Sequence, residues 1–371
     1  MRPTPLQDDW EILLRFLPAG WETKATELGA LVRRRKIDSP QTLLRLLLIH
    51  LADGKSLRTT AAYCQETKLC DINDVALLHR LKASEQWFRW MSQELLKQIR
   101  GQPFSDSVSR KFRVRLIDGT SITEPGSTGT DWRIHFSLQL ATLQCDSFTI
   151  TGPEIGEDFQ RFHVDPEDLL IADRGYCKRN GITHVLHHGG EVLVRFHSLT
   201  LPLFTRDGKP FSPLTNLRTL KPGQCGDWDV WFRHAQTGNP VKGRFCAIKK
   251  NKEAIERAKK TILRDASKKQ KNLRPQTLEL AEYVIVFTTV NRRSLDAESI
   301  LELYRCRWQI EIMFKRLKSI IGLGHLPKHN PESCAAWLHG KMFVALLIER
   351  LYQEAEFFSP WGYPLQCPQQ A

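Results

Sequence analysis

The spacing of hydrophobic residues changes twice along this chain. From residue 1 to about 105 apolar positions recur every three or four residues, and Gly and Pro are sparse after Pro40, which predicts helices. Pro40 starts one helix through QTLLRLLLIHLA, with Ser39 as its N-cap. Asp53-Gly54-Lys55 then makes a turn, and Ser56 caps a second short helix, LRTTAAYCQ. Two helices joined this way are either a helix-turn-helix or part of a plain bundle. After Gln102-Pro103 the runs FRVRLID, IHFSLQLATL, SFTITGP and DLLIAD are strand-like, rich in Val, Ile, Leu and Phe. HVLHHGGEVLVRF continues them across a Gly-Gly break. From about 185 to 290 the β-like runs EVLVRF, DWDVWFRH, RFCAIKK and EYVIVFTTV alternate with turns and one basic helix-prone stretch, IERAKKTILRDASKKQKNLRP. Trp228 and Trp231 are expected to share one buried strand face. From Ser294 onward the period is helical again.

This pattern predicts an α/β protein. A helical N-terminal domain (1–105) precedes a core in two parts, 106–184 and 291–350. A β-rich insertion (185–290) separates those parts, and a short Pro-containing tail (351–371) follows. The 371 residues suffice for two or three domains, and a hydrophobic fraction of 41% argues against disorder. The longest apolar run, LLRLLLIHLA, is too short for a bilayer and is broken by Arg45. MRPTPLQDDWE lacks the apolar centre of a signal peptide, so a cytoplasmic protein without membrane contact is expected. Nine scattered cysteines, with no C-x-x-C, point away from a disulfide framework or a structural zinc.

Net charge changes the picture more. A formal +13 favours a polyanionic partner through steering and counterion release. Arg33-Arg34-Arg35-Lys36 either contacts DNA or is a solvated charge run. The same choice holds for Lys249, Lys250, Lys252, Lys259, Lys260, Lys268, Lys269 and Lys271 in the insertion.

The run LELYRCRWQIEIMFKRLKS is the sharpest local signal. On one continuous helix, at about 100° per residue, Tyr304, Arg307, Glu311 and Lys318 fall within roughly 60°. Leu303, Ile310, Met313, Phe314, Leu317 and Ile320 then spread around the buried back. One acid among Arg, Lys and Tyr suits phosphate binding beside a metal, although such a face is also an ordinary solvated one. Asp118 ends FRVRLID and Asp173 ends DLLIAD, where sites of open sheets form. Each also reads as a turn residue. Together with Glu311 they supply hard oxygen ligands for two divalent ions held about 3.5–4 Å apart, as two-metal phosphoryl transfer requires. Mg²⁺ fits such ligands, with Mn²⁺ as the alternative.

The order Tyr304-x2-Arg307-x3-Glu311-x6-Lys318 resembles the YREK signature of the insertion-sequence-four group of bacterial DDE transposases. LIDGTSI, LLIADRGY and YRCRWQIEIMFKRLK resemble the first-Asp, second-Asp and Glu regions of that group. WRIHFSLQL and RRRKIDSPQTLLRLLL extend the resemblance from roughly residue 25 to 350. The resemblance implies a ribonuclease-H-like core with a β-strand insertion between the second Asp and the Glu. It implies that Asp118, Asp173 and Glu311 are the catalytic, metal-binding triad, with two ions per site. Arg307, Lys318 and Tyr304 would hold DNA phosphates, and Trp308 either packs on DNA or lies in the core. Tyr283, opening YVIVFTTV, occupies the family's position for an aromatic that stacks a flipped base; a core tyrosine is the other reading. The implied partners are double-stranded DNA, as terminal inverted repeats and target, and a second subunit in the synaptic complex. The implied location is the bacterial nucleoid. Many relatives carry a longer C-terminal region, so this copy reads as naturally short or truncated and impaired. The implied function is cut-and-paste transposition with a hairpin step. The alternatives are a non-catalytic or defective protein that occupies element ends, and a metal-dependent nuclease of the same fold.

Overall fold

The computed structural model describes residues 6–98 and 111–356, apart from residues 269, 271, 325 and 328. The expected boundary at 105, Lys269, Lys271 and most of the 351–371 tail lie outside the described residues. Six helices come first: α1 (Leu6–Leu14), α2 (Trp21–Glu27), α3 (Pro40–Leu51), α4 (Leu57–Glu66), α5 (Asp74–Ala83) and α6 (Glu85–Gln98). Ser39 caps α3 through the Thr42 N–H at 3.1 Å, and Ser56 caps α4 through the Thr59 N–H at 3.1 Å. Each hydroxyl satisfies one of the N–H groups that a helix start leaves free. Gly54 makes the turn between them with φ +68°, a conformation that disfavours any side chain.

The described strands form one eight-stranded sheet of order β3-β2-β1-β4-β5-β8-β7-β6. They are β1 (Arg113–Ile122), β2 (Trp132–Gln139), β3 (Gln144–Thr151), β4 (Asp168–Ala172), β5 (Glu191–Arg195), β6 (Cys225–Arg233), β7 (Pro240–Lys249) and β8 (Tyr283–Thr288). β1, β4 and β5 are parallel and central, and the remaining pairings are antiparallel. The 185–290 region is therefore not a separate β unit. β5 belongs to the parallel centre, and β8, β7 and β6 extend the same sheet. Trp228 and Trp231 are three residues apart and so face opposite sides of β6, correcting the shared face expected for them. Trp228 packs on Phe245, while Lys242 lies over Trp231.

Side-chain alternation divides the interior into two cores. Leu116, Leu169, Ile171, Leu193 and Val286 face one core, and Ile117, Leu170, Ala172, Val194 and Phe287 face the other. The second core is covered by α7 (Arg179–His187) and the segment around α8 (Pro213–Leu217). The first is covered by α11 (Ala297–Arg305), α12 (Trp308–Ser319) and α13 (Pro331–Glu356) together with the N-terminal helices. Leu43, Leu47, Leu51, Trp87, Phe88 and Met91 share this cluster with Leu338, Met342 and Phe343 of α13. α9 (Lys252–Lys268) and α10 (Pro275–Leu280) lie between β7 and β8, and α9 buries no residue.

The stretch expected as one signature helix is two. Around Cys306 and Arg307 the N–H groups of residues 306, 307, 309 and 310 bond carbonyls three residues back, the tighter 3₁₀ spacing. α11 packs on β6 and β7 at one end of the sheet, whereas α12 packs on β1.

Candidate active site

Two carboxylates are set by strand register. Ile117 pairs with Ala172 across β1 and β4, so Asp118 and Asp173 each lie one residue further along strands about 4.8 Å apart. β1 does not end at Asp118, as its sequence suggested. It runs on to Ile122 because β2 still pairs with it, from Asp118↔Phe136 to Ile122↔Trp132. Each acid is held by a glycine N–H. The Gly119 N–H donates to Asp118 Oδ1 at 2.8 Å, and the Gly175 N–H donates to Asp173 Oδ1 at 2.8 Å. Asp173 thereby caps the 3₁₀ turn Arg174–Tyr176, so its turn role is real as well. Burial pushes the Asp118 carboxyl up to about 7, the Gly119 N–H opposes this, and the Asp173 charge adds to it.

Glu311 lies on the first turn of α12, its side chain 51% exposed. Arg307 stands between it and the strands, with Nη2 2.5 Å from Glu311 Oε1 and Nη1 3.8 Å from Asp118 Oδ2. Further along, Lys318 Nζ donates to the Ser121 carbonyl at 3.3 Å, and Phe314 packs edge-on against Phe136 of β2. Arg307, Glu311 and Lys318 are thus brought beside β1. Tyr304 is not on an exposed front. It is 8% exposed, and the Arg307 guanidinium lies 6.0 Å from its ring. Met313, Phe314, Leu317, Ile310 and Leu303 are buried as expected, but Ile320 is 74% exposed. Trp308 is 56% exposed, so it stands at the surface beside Arg307 and not in the core.

Tyr283 begins β8 at the sheet edge where β5 ends, but it belongs to the second core and is 2% exposed. Lys249 Nζ sits 5.5 Å from its ring centroid. The ring offers no open face for a base. Arg33, Arg34 and Arg35 are exposed in the connection before α3, and Arg80 donates to the Arg33 carbonyl at 3.0 Å. In the insertion, Lys250 is tied to the Ala281 carbonyl and Lys259 to Glu282, while Lys252, Lys260 and Lys268 are exposed.

One acid at this site was not legible in the sequence. Glu157 precedes the 3₁₀ turn Phe159–Arg161, in a loop whose acids carry no period that singles one out. A Cβ on Gly119 would lie 3.2 Å from its Cγ and Oε1, and one on Gly175 would overlap its Oε2. Burial and the Asp173 charge raise its carboxyl above the ordinary range. The Tyr176 hydroxyl is buried without a hydrogen-bond partner, and the charges of Glu157, Asp118 and Asp173, opposed by Arg133, act on it.

These carboxylates and the orphaned hydroxyl suit a hard divalent ion. Among the described residues no three acids stand close enough to hold an ion as they are. Arg307 supplies the positive charge between Asp118 and Glu311 instead. Among the described residues, no helix is long and apolar enough to cross a membrane.

Residues 109–348 match the family model described as a transposase DDE domain. The putative transposase InsL for insertion sequence element IS186A of Escherichia coli (strain K12) is 33% identical over 359 residues, covering 95% of this chain and 96% of its own. The transposase for insertion sequence element IS421 of Escherichia coli is 33% identical over 360 residues with the same coverage. The transposase for insertion sequence element IS231C of Bacillus thuringiensis subsp. berliner is 24% identical over 378 residues, covering 91% of this chain and 78% of its own. With Asp118, Asp173 and Glu311 inside the matched region, the chain belongs to the DDE transposases of insertion sequences, enzymes of phosphoryl transfer on DNA.

Proposed function

We propose that the chain moves its insertion sequence by cut-and-paste transposition, with Asp118, Asp173 and Glu311 as the catalytic acids of a ribonuclease-H-like core. The observation that carries this reading is the register Ile117–Ala172. It sets Asp118 and Asp173 side by side on two central strands, where β4 ends, with the first turn of α12 against the same part of β1. The order β3-β2-β1-β4-β5, with acids at β1 and just after β4, supports the fold name.

The three acids would hold Mg²⁺ or Mn²⁺, two ions per site, which when bound supply Lewis-acid activation of the attacking oxygen and charge neutralisation at the leaving one. Arg307 and Lys318 flank the acids and grip the phosphates of the element end, while Trp308 packs against the same DNA. Tyr304 acts from below, holding the Arg307 guanidinium over its ring. A water cleaves one strand at the element end. The freed 3′-hydroxyl attacks the opposite strand to give a hairpin, which is opened before the 3′-hydroxyl attacks target DNA. Arg33, Arg34 and Arg35 with the N-terminal helices bind the terminal inverted repeats. Two subunits act in one synapse, at the nucleoid.

The test is cleavage with Mg²⁺ of a duplex carrying the element's terminal repeat and flank, by wild type, Asp118→Ala, Asp173→Ala and Glu311→Ala. A cut at the element end with a hairpin product, lost in all three variants, is expected. Tight binding without cutting by wild type would instead indicate a protein that only occupies the ends. Activity retained in a variant removes that residue from the triad.

A further inference from the structure

We propose that Glu157 is a fourth acid of this active site, an oxygen ligand to the divalent ion on the strand side of Asp118 and Asp173. The proposal rests on the metal-dependent reading above.

Four observations carry it. First, the loop that presents Glu157 is fixed by cations on three successive carbonyls. Arg133 Nη1 donates to Ile155 O at 2.7 Å, Arg161 Nε donates to Gly156 O at 3.1 Å, and Lys178 Nζ donates to Glu157 O. These bonds engage the backbone and leave the carboxylate turned inward. Second, room for that carboxylate is made by absent side chains at two motif glycines. Gly119 follows one acid and Gly175 lies two residues after the other, and a Cβ on either would press on Glu157. Third, among the described residues the Glu157 carboxylate makes no ion pair. The Asp173 charge opposes its ionisation, Arg133 and Lys178 offset this in part without pairing to it, and an ion joined to the acids would complete the compensation. Fourth, the Tyr176 hydroxyl is fully buried and has no partner, and the charges of these same three acids, opposed by Arg133, act on it. A buried hydroxyl in that state marks a position that water or an ion's hydration shell completes.

The division of labour follows from position. Glu311 sits on the exposed side, paired with Arg307, whereas Glu157 sits on the strand side, where Arg133 acts on it without an ion pair. Glu157 is thus free of the Arg307 pairing that engages Glu311.

The experiment titrates Mn²⁺ into the full chain and reads free Mn²⁺ by electron paramagnetic resonance, for wild type, Glu157→Gln, Glu157→Asp and Asp173→Asn. End binding by gel shift and thermal melting are measured in EDTA. Glu157→Gln is expected to weaken Mn²⁺ binding by about ten-fold or more, as Asp173→Asn does. Its end binding stays within about two-fold of wild type, and its melting midpoint is unchanged or higher because a repulsion has been removed. Glu157→Asp, which keeps the charge on a shorter arm, falls between. Mn²⁺ affinity kept in Glu157→Gln but lost in Asp173→Asn overturns the role of Glu157 and leaves the metal reading standing. Affinity unchanged in both variants overturns the metal reading as well. A lower melting midpoint in Glu157→Gln, restored by Glu157→Asp without recovery of Mn²⁺ affinity, assigns Glu157 to structure alone.

Discussion

Asp118 carries a charge that its surroundings oppose. Its side chain is 16% exposed, and burial, offset in part by the Gly119 N–H, holds its carboxyl near 7. The folded state therefore keeps a proton that the unfolded chain releases near 4. The unfolded state binds fewer protons between these values, so stability falls as pH rises from about 4 to about 7 and is level above. A tenfold change in proton affinity corresponds to about 1.4 kcal/mol, so the whole effect is at most on the order of 4 kcal/mol. Asp118→Asn should thus raise the thermal midpoint at pH 8 in EDTA and leave it unchanged at pH 3.5. Melting curves at both values check this, and a lower midpoint at pH 8 would mean that the charge is well accommodated. At this scale legibility depended on whether a residue's position follows from its own element. Asp118 and Asp173 follow apolar strand runs, so the sequence marks them. Glu157 sits in a loop whose direction is set by Arg133 of β2 and Lys178 before α7, distant in the chain, as well as by the nearby Arg161, and no periodic pattern marks it. Tyr304 falls on an exposed front only if one straight helix runs through residues 306–307; the helix is interrupted there, and Tyr304 is buried.

Strands and helices position the site through a few fixed contacts. β4 is clamped to β1 by Asp168, which is fully buried and accepts from Arg113 and from Arg115 at 2.9 Å, with the Asp165 N–H at 3.0 Å. Arg115 is only 4% exposed. Removing Asp168 takes a fully buried partner from both guanidiniums but leaves Arg113 with Asp165 and Arg115 with Asp146, so the cost is about 1–3 kcal/mol, below that of an orphaned buried charge. Asp168→Ala should lower the urea midpoint accordingly and weaken cleavage, because it loosens the register that aligns Asp173 with Asp118. The opposite holds for Trp308, at the start of α12. More than half exposed, Trp308→Ala should change stability by less than about 0.5 kcal/mol while weakening binding to element-end DNA. Equal affinity in a gel shift would remove Trp308 from the DNA face. The α3 and α4 boundaries were legible because Ser39, Pro40 and Ser56 are local signals. The break between α11 and α12 was not, because it arises where the chain passes from β6 and β7 to β1, a tertiary demand that no residue at 306–307 announces.

The whole molecule departs furthest from a reading in separate domains. The helical period of residues 1–105 suggests a unit that stands apart from the core, yet the N-terminal helices complete that core by enclosing α13. Trp87 Nε1 donates to the Trp21 carbonyl at 2.8 Å, and Phe88 packs on Phe343 with ring centroids 5.7 Å apart. Gly340 of α13 lets the two parts close, since a Cβ there would lie 2.6 Å from Leu51 Cδ1 and 3.3 Å from Phe88 Cε2. Sequence periodicity could not show this. It reports that a helix has an apolar face, not which distant helix covers it. A shared core predicts shared cooperativity: the N-terminal helices and the sheet should unfold in one transition, not two. Gly340→Val inserts methyl groups into the seam, and overpacking of this kind costs about 1–3 kcal/mol. It should lower that single transition in differential scanning calorimetry without splitting it. Two resolved transitions in wild type would show that the helices fold on their own. The same coupling bears on function. A net charge of +13 draws DNA to the molecule through contacts that weaken steeply with salt. On the proposed function, DNA bound by the N-terminal helices would be held by elements packed on the core that α12 also covers, next to Asp118. Strain placed at Gly340 should therefore reach cleavage as well as stability. The measurement is the end-cutting rate of Gly340→Val at a temperature where it is still folded. A reduced rate with end affinity kept is the outcome expected if the N-terminal helices and α12 share the first core.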